Sequence, residues 1–112
     1  MKYITLLFVA SLFLISCESH TYDDISGFTT TPNYNKHIKP IMDNNCVSCH
    51  NPTYDQSPYL TNFDEVKEAT LNGNVACRVD ASCGNIMPTT GKMASPSILM
   101  IQYWKDTNCP EN

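Results

Sequence analysis

A chain of 112 residues with 42% hydrophobic content has the length of one small domain and no material for a second. Its formal net charge of −4, with 7 Lys and Arg against 11 Asp and Glu, excludes nucleic acid as partner, because a phosphate backbone is bound by clustered cations. A protein that meets this chain through charge is expected to present a basic or neutral face.

In chain order, Lys2 comes first, followed by an uninterrupted apolar or small run from Ile4 to Ile15 with no acid before Glu18. This reads as a secretory signal over residues 1–16, too short to serve comfortably as a membrane span. The end of the run, Leu14-Ile15-Ser16-Cys17, resembles the lipobox of bacterial lipoproteins. The resemblance implies that Cys17 becomes the acylated first residue of an exported, membrane-anchored lipoprotein facing the periplasm or cell surface. Two or more acyl chains hold a protein stably on a bilayer. The alternative is an ordinary signal peptide with a chance cysteine. Cleavage before Cys17 also removes Lys2 and leaves the remainder more acidic. Residues 17–33 are rich in Thr, Ser, Asp and Gly and poor in large apolar side chains, which suits a lipid-anchored flexible tether.

The folded part, residues 34–112, is about 80 residues long, near the lower limit for a self-sufficient core, so staples are expected. Ile38, Ile41 and Met42 stand at helical spacing between Tyr34 and Asn45, with Pro40 in the first turn, where a missing N–H costs little. This helix delivers Cys46-Val47-Ser48-Cys49-His50, a C-x-x-C-H run. Two thiols at that spacing can take the two vinyl groups of one haem as thioethers, and the adjoining imidazole then lies beneath the iron. A thioredoxin-like C-x-x-C wants a βαβ context, but the flanks here show no strand periodicity. A zinc ribbon wants a second C-x-x-C, which the chain lacks. One covalently attached haem c per chain is therefore the expected cofactor.

Thr53 to Tyr59, flanked by Pro52 and including Pro58, reads as loop. Asn62 with Glu65 three residues on forms a capping box for a helix whose face carries Phe63, Val66, Ala69 and Thr70 opposite Asp64, Glu65 and Glu68. Leu71-Asn72-Gly73 stops it, with Gly73 suited to the left-handed C-terminal position. The final helix starts with Ser95 as N-cap and Pro96 as first residue. Met100, Ile101 and Trp104 centre its apolar stripe, with Gln102, Lys105 and Asp106 opposite. Trp104 is expected to seal the contact between the first and last helices.

From the residues alone, the sixth iron position is a choice among Met42, Met87, Met93, Met100, His37 and an empty position. Met42 and Met100 suit packing. Met87 sits beside Pro88 and near Gly91 in a stiff, turning segment, with Met93 its nearest rival. Arg78 is a candidate for a haem propionate, and otherwise a solvated loop cation. With Cys17, Cys46 and Cys49 assigned, Cys77, Cys83 and Cys109 remain, and an oxidising compartment makes one disulfide the expectation. Cys77 with Cys83 closes a short loop before Met87 and is the first choice; Cys109 with either is the alternative.

The order Ile38-Lys39-Pro40-Ile41, the C-x-x-C-H run, Leu60-Thr61-Asn62-Phe63-Asp64-Glu65-Val66, Met87-Pro88 and a last helix with Trp104 resembles the small monohaem cytochrome c domains of exported bacterial lipoproteins. The resemblance implies an all-α cytochrome c fold, short helices and loops wrapped around the haem, with His50 and Met87 as axial ligands. Cys77 and Cys83 depart from that family's usual pattern. A thioether and an imidazole saturate the iron in both oxidation states, which suits a one-electron carrier serving redox partner proteins rather than an enzyme. The alternatives are a peroxidase-type enzyme with an open sixth position and a tethered haem module that docks a larger redox complex.

Overall fold

The computed structural model of the protein describes residues 27–112, so the expected signal over 1–16, the acylation residue Cys17 and most of the 17–33 tether lie outside the described residues. Within that tether span, Phe28 sets its ring edge-on to Tyr103 at 6.3 Å and Pro32 is fully buried, so these two residues belong to the packed body.

The first helix has an irregular start with a chemical cause. Asn33 caps it, accepting the Lys36 N–H at 2.9 Å. Tyr34–Ile38 then winds as a π turn before α1 (Lys39–Asn45) continues as α-helix. Pro40 has no N–H for the fourth carbonyl back, and its ring clashes with that carbonyl in regular α geometry, so the turn ahead of it widens. Ile38 and Met42 are fully buried and Ile41 nearly so, which is the face that the spacing predicted.

α2 (Phe63–Leu71) starts as its capping residues dictate, with one change of partner. Asn62 Oδ1 accepts the Glu65 N–H at 3.0 Å, but Glu65 Oε2 returns to Thr61, accepting its N–H at 2.8 Å and its hydroxyl at 2.6 Å. These bonds to the charged form hold the Glu65 carboxyl below its usual range. Val66, Ala69 and Thr70 are buried, and the Thr70 hydroxyl is satisfied by the Val66 carbonyl at 2.7 Å. At the other end, Gly73 does not take the left-handed conformation expected of it: a Cβ there would lie 2.6 Å from the Ala69 carbonyl oxygen, so glycine serves close approach instead.

A short helix that the sequence pattern did not announce, α3 (Val75–Val79), follows, burying Val75, Ala76 and Val79. α4 (Ser95–Asp106) closes the fold. Its start differs from expectation, because Ala94 occupies the cap position and no side chain caps the helix; Ser97 N–H and Ile98 N–H donate to the Ala94 carbonyl. Ile98, Met100, Ile101 and Trp104 are buried. Trp104 packs on Tyr34 at 6.0 Å and on Phe63 at 6.5 Å, joining the π turn, α2 and α4. Its indole N–H donates to the Pro110 carbonyl at 2.8 Å, and Pro110 in turn accepts the Tyr34 N–H, so the C-terminal segment is tied across the first helix. The architecture is all-α: among the described residues there is no strand, and no helix is long and apolar enough to cross a membrane.

Candidate functional site

The C-x-x-C-H run leaves the end of α1 as a chain of tight turns. Cys46 and Val47 both donate their N–H to the Met42 carbonyl, at 2.8 and 3.0 Å, and Cys49 and His50 both donate to the Cys46 carbonyl, at 3.1 and 2.9 Å. This winding brings both thiols and the imidazole to one short stretch of chain. Cys46 is buried at the edge of the core and Cys49 is exposed, and neither is in a disulfide. Burial, and after it the neighbouring Cys49, pushes the Cys46 thiol up to about 11.

His50 is oriented from two sides. Its Nδ1 lies 2.9 Å from the Pro58 carbonyl oxygen, and its own carbonyl accepts the Leu60 N–H at 3.0 Å. A carbonyl can only accept, so Nδ1 carries the proton and Nε2 of the neutral ring keeps its lone pair. A carbonyl that accepts from the far ring nitrogen fixes the tautomer of a metal-binding imidazole and raises its basicity. The loop between is braced by Asn51, whose amide donates to the Val47 carbonyl at 2.6 Å while its oxygen accepts the Thr53 N–H at 2.8 Å. Neither Pro58 nor Asn51 was singled out from the sequence. A proline and an asparagine in a loop read as ordinary turn formers, and no periodicity links Pro58 to His50.

The methionines divide by burial. Met42 and Met100 lie in the core. Met93 is partly buried and packed against that core, whereas Met87 is half-buried on the loop after α3, joined to Pro88 by a cis bond. Met87 N–H donates to the Arg78 carbonyl at 3.0 Å. Among the described residues no hydrogen bond joins the Met87 loop to the Cys46–His50 turn, so the two candidate ligand segments have separate hydrogen-bond support. His37 is committed elsewhere: its Nδ1 accepts the Asn33 N–H at 3.1 Å, and burial, with the Lys36 charge second, pulls its basicity down. Arg78 donates from Nη1 to the Asn85 carbonyl at 3.1 Å.

Cys77 and Cys83 are joined in a disulfide with Cα atoms 5.4 Å apart. Cys109 is fully buried, its thiol raised to about 11 chiefly by burial, and acts as core filling beside Trp104, whose carbonyl accepts its N–H at 2.8 Å. Among the described residues no three His, Cys, Asp or Glu side chains gather as a bare ion would require. A haem, whose macrocycle provides the equatorial nitrogens, asks only for axial ligands and attachment thiols from the protein. The residues of the turn fit that demand: two unpaired thiols at the right spacing and an imidazole with its Nε2 left free.

No family model, curated protein or solved structure matches the chain.

Proposed function

We propose that this protein is a monohaem c-type cytochrome that carries single electrons outside the cytoplasm. The observation that carries the reading is the hydrogen bond from His50 Nδ1 to the Pro58 carbonyl, directly after two unpaired cysteines in a C-x-x-C-H turn. Cys46 and Cys49 would hold the haem as thioethers, His50 Nε2 would be the proximal ligand, and Met87 the distal one. Bound in this way, haem iron supplies reversible one-electron chemistry with a potential raised by Met/His ligation.

The chain's own residues perform the rest. Pro58 holds the imidazole in one orientation and Leu60 pins the His50 backbone, so the ring need not rearrange when the charge on its partner changes. Asn51 keeps the turn closed. The buried faces of α1, α2 and α4 exclude water behind Cys46, and the low polarity there favours the less charged state. A cytochrome c fold, a lipid on Cys17 and docking to a redox protein with a basic or neutral face complete the proposal; they rest on sequence order, the lipobox-like run and the acidic charge.

The test is a denaturing acid extraction followed by spectroscopy. Haem should stay with the polypeptide and should be lost from it when Cys46 and Cys49 are both changed to Ala; haem lost from the parent sinks the proposal. In the ferric protein a weak far-red sulfur-to-iron band should vanish in Met87→Ala and persist in Met93→Ala. A parent that lacks the band and binds carbon monoxide readily would shift the reading to an open-site, peroxidase-type protein.

A further inference from the structure

The segment between α2 and α4 makes no hydrogen bond to His50, and it carries a set of polar contacts of its own. α3 is only five residues long, too short to hold itself together. It is closed on its outer side by the Cys77–Cys83 disulfide. Within the closed loop, Ser82 N–H donates to the Cys77 carbonyl at 2.9 Å and to Asp80 Oδ1 at 2.9 Å, a contact that holds the Asp80 carboxyl below its usual range. On its inner side α3 is latched to α4, because Gln102 Nε2 donates to the Ala76 carbonyl at 2.8 Å and lies 3.3 Å from Asp80 Oδ2.

What this closed unit grips is the Met87 loop. Arg78 holds that loop at two points: its backbone carbonyl accepts the Met87 N–H at 3.0 Å, and its guanidinium Nη1 donates to the Asn85 carbonyl at 3.1 Å. The guanidinium reaches Asn85 by passing over Gly84, where an added Cβ would lie 2.8 Å from Nη1. Gly84 also sits at φ +127°, a conformation that a side chain resists. A missing Cβ, a positive φ and a threaded guanidinium at one position make this contact a built feature of the loop.

We propose that α3, closed by Cys77–Cys83 and latched by Gln102, is the device that positions the Met87 thioether, with Arg78 as the positioning residue. This rests on the haem reading above and adds what holds the distal ligand in place. An iron–thioether bond is weak, so its occupancy follows how firmly the backbone presents the sulfur. Loosening the grip lets an external ligand compete.

The experiment uses the haem-loaded full chain and three variants: Arg78→Gln, Arg78→Lys and the paired Cys77→Ser/Cys83→Ser. Carbon monoxide affinity of the ferrous protein, far-red band intensity of the ferric protein and amide exchange at Met87 are measured, with helicity checked by circular dichroism. Losing one charge-assisted hydrogen bond should raise carbon monoxide affinity about fivefold in Arg78→Gln, weaken the band and speed Met87 exchange to a similar degree. Arg78→Lys should recover part of each, and the paired serine variant should move all three readouts further. The Arg78→Gln protein keeps the disulfide, so it decides the matter even if the serine pair does not fold. Variants that match the parent in all three readouts, while Met87→Ala loses the band, overturn this inference and leave the haem reading standing. A parent whose band survives Met87→Ala overturns the inference through its ligand. A parent without covalent haem overturns both.

Discussion

The two segments that would face each other across a haem are held by different physics. The Cys46–Leu60 segment is ordered by backbone and side-chain hydrogen bonds between near neighbours: Met42 to Cys46, Cys46 to His50, Val47 to Asn51, Pro58 to His50. The Val75–Met93 segment also has near-neighbour bonds, such as Ser82 to Cys77 and Met87 to Arg78, but adds one cross-link, one guanidinium and one amide reaching from the last helix. The first arrangement spreads its support over several short-range bonds. The second concentrates support in Cys77–Cys83, Arg78 and Gln102. A proximal ligand built in the first way stays put, and a distal ligand built in the second way can be tuned or lost by one change.

Both segments contribute residues, Cys46 and Leu60 from one and Val75, Ala76 and Val79 from the other, to the core that Tyr34 and Trp104 also occupy, and removing Trp104 is the strongest way to break the contrast. Trp104 is fully buried against Tyr34 and Phe63, so Trp104→Ala should cost about 3–5 kcal/mol in chemical denaturation. Amide protection should fall in residues 46–50 and 75–79 together. A loss confined to one of the two stretches would show that they do not share this support.

A sharper probe touches one side only. Gln102→Ala leaves the Ala76 carbonyl without its 2.8 Å partner and should cost about 1–2 kcal/mol. Hydrogen exchange should then quicken in 75–79 while 46–50 keeps its protection. Equal quickening in both would contradict the separate hydrogen-bond support of the two segments.

The smallest effect is a pH dependence from the π turn ahead of α1, on the motif side. His37 is held below its ordinary value of 6.5 by burial, and then by Lys36, and its Nδ1 accepts a backbone N–H only while unprotonated. As pH falls, the unfolded chain therefore takes up this proton before the folded chain does. The stability His37 contributes is present above 6.5 and is lost progressively as pH drops through its lowered folded value. A modest fall in thermal midpoint is expected as pH drops below 6.5 towards the lowered folded value, and it should shrink in His37→Gln. A midpoint that His37→Gln leaves equally pH-dependent would assign the effect to another group.

Where the chain's instructions are local, they were legible. Asn62 and Glu65 marked the start of α2, Ile38, Ile41 and Met42 marked a buried face, and Pro40 marked a first turn, because caps and periodicity act between residues a few positions apart. Even there the details moved. Glu65 returns to Thr61 instead of to Asn62, Gly73 is needed for space rather than for handedness, and Ser95 leaves the last helix uncapped. α3 was illegible, since five residues around one cysteine show no period, and the helix they form is held by a cross-link and a latch.

The candidate attachment chemistry is thus a matter of sequence alone: Cys46, Cys49 and His50 are adjacent in the chain, and the turn that gathers them needs only near-neighbour hydrogen bonds. Tertiary structure decided everything that required distant residues to meet. It assigned Gln102, whose amide meets a carbonyl 26 residues earlier in the chain, from a polar face to a latch on α3, whereas the contacts of His50 with Pro58 and of Arg78 with Asn85 close loops within one segment. The reason is that a hydrogen bond between residues far apart in the chain leaves no pattern in the sequence. Its partners are ordinary residues until packing of the apolar faces around Trp104 brings them within 3 Å or so of each other.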